Sequence, residues 1–127
     1  MAMRPLIGVV GPCAAGKSTL VAGLKLRGYQ ARPIAQEHSY VQDMWKRITN
    51  PKILLFLSVS YPETIKRRNL SWSEAEYNEQ LSRLQHAREN ADLIIETDDL
   101  TPSQVLERAM SYISGKSDQG QIELDNL

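Results

Sequence analysis

The chain has 127 residues, 42% apolar and 24% charged, with fifteen basic side chains balanced by fifteen acidic ones. That length suits one domain around a single core, and the balance offers no positive field for nucleic acid or an anionic membrane surface. No apolar run approaches the roughly 20 residues that span a bilayer, and a lone cysteine, Cys13, forbids an internal disulfide.

The apolar part of "MAMRPLIGVV" is too short for a secretory signal, and with a single thiol this points to a reducing, cytoplasmic setting. Leu6–Val10 is continuous and partly β-branched, stops at Gly11-Pro12, and predicts a short buried strand. Leu20, Val21 and Leu24 then fall at helical spacing within Lys17–Arg27, with Gly28 placed as a C-terminal cap. Tyr29–Ala35 is a weaker strand, interrupted by Pro33 and therefore at an edge or a strand end. Val41, Met44, Trp45 and Ile48 make one stripe of a short helix that Asn50-Pro51 breaks. "ILLFLSV", Ile53–Val59, predicts a strand buried on both faces.

Pro62 opens a short helix ending in Lys66-Arg67-Arg68, and Ser73 with Glu76 has capping-box spacing for a helix carrying Tyr77, Leu81 and Leu84 on one face. "ADLIIET", Ala91–Thr97, is the last strand. Thr101-Pro102-Ser103-Gln104 starts a helix with Val105, Leu106, Ala109, Met110 and Ile113 inward. From Gly115 the sequence turns polar, predicting a disordered tail over 115–127 behind a nucleotide-binding domain of residues 1–114. Strands alternating with helices predict a three-layer α/β/α domain around a small, mostly parallel sheet of four strands.

Gly11-Pro12-Cys13-Ala14-Ala15-Gly16-Lys17-Ser18 satisfies G-x-x-x-x-G-K-[ST], the Walker A pattern, between a strand and a helix. Backbone N–H groups can surround a phosphate only where side chains are small, as Cys13, Ala14 and Ala15 are, and Gly11 and Gly16 permit the close approach. The helix start at Lys17, Ser18 and Thr19 aims free N–H groups at the anion. Lys17 would reach the β- and γ-phosphates of ATP and the Ser18 hydroxyl would bind Mg²⁺.

With these residues in place the sequence resembles the P-loop small-molecule and nucleotide kinases, the group of adenylate kinase, dephospho-coenzyme A kinase and shikimate kinase. "LIGVVGPCAAGKSTL", "PKILLFLSVSYPETIKRR" and "ADLIIETDDLTPSQVLERAMSYI" carry the resemblance and cover most of residues 4–113. It implies the fold of P-loop nucleoside triphosphate hydrolases, with Arg67 or Arg68 over the phosphates, Arg83 flanking a lid, and Thr97 and Asp98 near adenine through their backbone.

One departure is informative. These kinases usually place an acid at the end of the strand beside the phosphate-loop strand, and "ILLFLSVS" has none. Glu37 in "IAQEHSY" is the best substitute as Mg²⁺-water ligand or general base, if Ala31–Ala35 lies beside Leu6–Val10, with His38 as runner-up.

The chain from Gly28 to Ile53 has no room for a separate substrate domain, nor Arg68–Ser73 for a long lid. A small acceptor near Tyr40, Trp45 and the Glu37 loop fits this length, as does a homodimer that completes the site. The function so predicted is ATP-dependent transfer of a γ-phosphoryl group to a small acceptor. The alternative is a nucleotide-binding regulatory or adaptor protein with weak or no ATPase activity. The Asn-Lys-x-Asp motif of guanine-specific proteins is absent from the sequence.

Overall fold

The computed structural model describes residues 5–68 and 71–125, except for the side chains of 116–125. Its first element is β1, Leu6–Val10, followed by α1, Lys17–Leu26, and β2, Gln30–Pro33. A 3-10 turn at Gln36–His38 and a π turn at Trp45–Thr49 lead to β3, Ile53–Ser58. The helices α2, Tyr61–Arg68, α3, Glu74–Arg83, and α4, Gln85–Asn90, precede β4, Leu93–Glu96, and α5 is Pro102–Asp125. The strands form one sheet in the order β2-β1-β3-β4, with every pair parallel.

That order dictates where the helices go. A right-handed crossover from β1 to β2 runs one way across the sheet, whereas β2→β3 and β3→β4 run the other way, so their connections cover opposite faces. The packing follows. Ile7, Val9, Leu55 and Leu57 meet Leu20, Val21 and Leu24 of α1 and Val105, Ala109 and Ile113 of α5 on one side. Val10, Leu54 and Phe56 meet Ile34, Trp45, Leu84 and Ala87 on the other. Fully burying each Leu, Ile or Phe contributes about 1.5–3 kcal/mol. The β2→β3 connection passes so low over β1 that a Cβ on Gly8 would lie 2.6 Å from Ile34 Cδ1 and 2.8 Å from Pro51 Cγ.

Local signals set the helix ends. Gly28, with φ 87°, terminates α1 in a Schellman arrangement, its N–H donating to Lys25 O and that of Tyr29 to Leu24 O. Ser73 and Glu76 form the predicted capping box. Thr101 and Gln104 exchange the same two bonds at the start of α5, at 2.9 and 3.2 Å.

Two segments depart from expectation. The Val41–Ile48 helix is reduced to the π turn: Trp45 is buried, but Val41 is 50% and Ile48 76% exposed. The fully buried Gln36 side chain donates to Val41 O and accepts from Trp45 N–H, so a side chain takes backbone groups an α-helix would use. The backbone of α5 continues past Gly115 to Asp125, where a disordered tail is expected. No proline follows Pro102, and Gln, Glu and Leu favour a helix enough to carry it across two glycines that each cost about 1 kcal/mol. Asn69 and Leu70, in the Arg68–Ser73 stretch read as too short for a long lid, lie outside the described residues. Among those described, no helix is long and apolar enough to cross a membrane.

Tyr77 on α3 ties that helix to the sheet by donating its O–H to Val59 O at 2.6 Å. Burial, and then the negative charges of Asp98 and Glu96, push its pKa above the usual 10.0. A phenol raised in the folded state stabilises below its unfolded pKa, and that stability is lost as pH rises through the folded value. Tyr77→Phe should therefore cost about 1 kcal/mol at neutral pH, and the gap to wild type should close above about pH 10. Urea midpoints across that range check it; a gap that stays constant would contradict it.

Candidate functional site

The connection β1→α1 leaves the carboxyl end of the sheet toward β2, and the chain after β3 leaves toward β4. The crevice between them is where open α/β sheets bind ligands, and the loop Gly11–Gly16 stands at its mouth. The loop is tightly folded: Ala14 has φ 69° and Gly16 φ 98°, both left-handed. For Ala14 that conformation costs roughly 1–2 kcal/mol, the kind of strain that collects at ligand sites.

The loop's hydrogen bonds are unevenly made. Cys13 N–H donates to Gln80 Oε1 at 3.0 Å and Ala15 N–H to Pro12 O at 3.1 Å. The N–H groups of Ala14, Gly16, Lys17, Ser18 and Thr19 have no acceptor among the described residues. Ser18 and Thr19 are exposed, and α1 has neither a side-chain cap nor an acid in its first turn. This is a concave set of donors at a helix N-terminus, suited to an anion.

Lys17 folds back over it. Its Nζ donates to Gly11 O at 2.7 Å, Pro12 O at 3.3 Å and Glu37 Oε2 at 2.6 Å. Glu37 reaches this position because β2 pairs with β1, Ile7 opposite Ala31 and Val9 opposite Pro33, so the turn after β2 emerges beside the loop. The expected adjacency of these strands is therefore present, with the paired span Gln30–Pro33. The Lys17 and Glu37 side chains are 13% and 5% exposed, and Glu37 Oε1 is buried without a partner among the described residues. His38 lies at the rim, Nε2 3.9 Å from Glu37 Oε2.

On the other side Arg67 joins three elements. Its Nη1 donates to Ala14 O at 3.1 Å and Thr97 Oγ1 at 3.0 Å, and its Nη2 donates to Thr97 O at 2.7 Å. Arg67 and Arg68 line a cleft of about 410 Å³ together with Ala14, Thr19, Thr97 and Leu100. It opens directly from the loop.

Two other candidates sit elsewhere. Arg83 lies on the Glu37 side, Nη1 3.4 Å from Glu37 O and Nη2 2.6 Å from Glu79, with its guanidinium 4.5 Å from the exposed Tyr40 ring. The Asp98 carboxylate accepts from Ser60 N–H rather than facing the cleft. Trp45 belongs to the core, its indole N–H donating to His86 Nδ1. Gln80 is a contributor the sequence did not single out; it touches the loop through both amide atoms, Nε2 lying 3.2 Å from Cys13 Sγ. No family model and no curated protein matches the chain.

Proposed function

We propose that the protein has a P-loop nucleotide-binding fold and is an ATP-dependent phosphotransferase acting on a small acceptor. The observation that carries this reading is the set of five N–H donors without acceptors among the described residues, closed on one side by Lys17. Phosphate oxygens would accept from these N–H groups. The Lys17 ammonium, now on two loop carbonyls and Glu37, would turn to the β- and γ-phosphates. Adenine would enter the cleft beyond Arg67, where Leu20, Leu100, Pro102 and Val105 offer an apolar wall.

The donors present fit Mg²⁺, since the exposed Ser18 hydroxyl and Glu37 Oε1 have no partners among the described residues. The ion would neutralise phosphate charge when bound. In transfer, the bond from the γ-phosphorus to its bridging oxygen breaks, a bond to the acceptor oxygen forms, and Glu37 takes the acceptor's proton. Arg67 spreads charge at the loop.

Gly16→Ala tests the binding step. A Cβ there meets nothing within 4 Å, so the fold has room for it, yet it would stand on the open side of the loop. The expected stability loss is about 1–2 kcal/mol from left-handed strain. ADP affinity by calorimetry should fall ~100-fold, the equivalent of one or two charge-assisted hydrogen bonds. Equal ADP affinity in both proteins would refute the assignment.

A second reading, a nucleotide-dependent adaptor, is favoured by one observation: β3 ends at Ser58 and runs on into Val59-Ser60, with no carboxylate at that position. Acceptor-stimulated ADP release, abolished by Glu37→Gln while ADP still binds, would decide for the transferase. Turnover unaltered by any small alcohol or phosphate ester would decide for the adaptor.

A further inference from the structure

Beside the phosphate loop, three side chains of different donor chemistry converge: Cys13, Glu37 and His38 each offer one ligand atom, all within 4.8 Å of one another. We infer that these three residues form a binding site for a borderline-soft divalent metal, Zn²⁺ by chemistry, which shares Glu37 with the Mg²⁺ proposed at the loop and competes with it there.

The donor set argues for the metal class. Mg²⁺ requires hard oxygen ligands in octahedral geometry, whereas thiolate, imidazole and carboxylate together select Zn²⁺ and its neighbours. Three protein donors with a fourth position left to water form the open tetrahedral arrangement. Metal–ligand bonds of about 2.0–2.3 Å put tetrahedral donors roughly 3.3–3.8 Å apart, so the group must tighten by about 1 Å. It has the freedom to do so: the His38 side chain is 61% exposed, and Cys13 is partly exposed at the loop surface.

Two further observations point the same way. Glu37 is 95% withdrawn from solvent by its 5% exposure, and its Oε1 has no partner among the described residues. An unpaired buried carboxylate oxygen costs energy that a cation would recover. Gln80 Nε2 also donates toward Cys13 Sγ at 3.2 Å, supplying the outer hydrogen bond that commonly steadies a metal-bound thiolate. The charge accounting is mild: metal binding brings two positive charges and releases the thiol proton, so the site gains one net positive charge. Lys17 holds Glu37 through Oε2, which leaves Oε1 as the oxygen open to a metal.

The proposal does not rest on nucleotide binding and is tested with metal alone. Co²⁺ is added to the full chain under reducing conditions, absorption is recorded, and Zn²⁺ is then used to displace it. Cys13 is the sole cysteine, so a thiolate-to-cobalt charge-transfer band reports this site and no other. The expected result is that band with tetrahedral-type visible absorption at one metal per chain. Cys13→Ser should abolish the band. His38→Ala, an exposed rim residue whose loss leaves the core intact, should weaken Zn²⁺ binding at least tenfold, while His86→Ala should not. Absence of the band in wild type, or unchanged Zn²⁺ affinity in both Cys13→Ser and His38→Ala, would overturn the assignment.

Discussion

Replacing Lys17 with Met lowers the unfolding free energy by about 3 kcal/mol, and adding Glu37→Gln restores most of that loss without restoring nucleotide binding. The reason lies in how deeply the pair is set. Glu37 is 5% exposed and Lys17 13%, and among the described residues their 2.6 Å contact is the one charge-assisted bond that the buried carboxylate makes. Removing the ammonium leaves an uncompensated charge on a carboxylate that is almost wholly buried, which costs about 3–5 kcal/mol, far more than the pair itself contributes. Gln keeps the volume of Glu37 and removes its charge, so the double variant loses the penalty. Equilibrium denaturation of the four proteins gives the coupling energy directly. Additive losses would mean that the two side chains do not meet as described. The cycle also separates stability from function, because a Lys17 variant that bound ADP poorly only through unfolding would recover in the double variant.

Arg67→Lys lowers stability by about 2 kcal/mol although the charge is kept, and Arg67→Met by slightly more. One guanidinium joins Ala14 O in the loop to Thr97 Oγ1 and Thr97 O beyond β4 while also engaging Glu63. An ammonium is a point donor and cannot fork across those acceptors. Thr97 is 1% exposed, and its carbonyl would keep only the Leu100 N–H at 3.1 Å, with no easy access to water to replace the guanidinium. Hydrogen exchange of the segment after β4 should speed up in both variants, and ADP affinity should fall because the loop loses its brace. Wild-type behaviour in Arg67→Lys would show that positive charge alone suffices.

The parts of this architecture governed by neighbours in sequence could be read from it. Leu6–Val10, the loop, Lys17–Leu26 and the Gly28 cap follow from apolar runs and backbone chemistry confined to a few residues each. The position of Glu37 was legible for a less local reason: once β2 is placed beside β1, the following turn must emerge next to the Gly11–Gly16 loop. The helix at Val41–Ile48 was not, because its outcome depends on Gln36 capturing the Val41 carbonyl and Trp45 N–H, a contest that periodicity does not register. Gln80 was hidden in the same way. It lies among charged residues on an amphipathic helix, and only the packing of α3 beside the loop brings its amide to Cys13. The cleft beyond Arg67 is likewise assembled from residues spread between Ala14 and Val105.

The most direct measurement follows the loop's own amides by ¹⁵N-resolved NMR while ADP, and then inorganic pyrophosphate, is added with Mg²⁺. If a polyphosphate docks as proposed, the N–H signals of Ala14, Gly16, Lys17, Ser18 and Thr19 move together and saturate. Cys13 and Ala15, already donating within the protein, should move less. Spectra that stay fixed at millimolar ligand, or shifts gathered on some other surface, would contradict the account at its root.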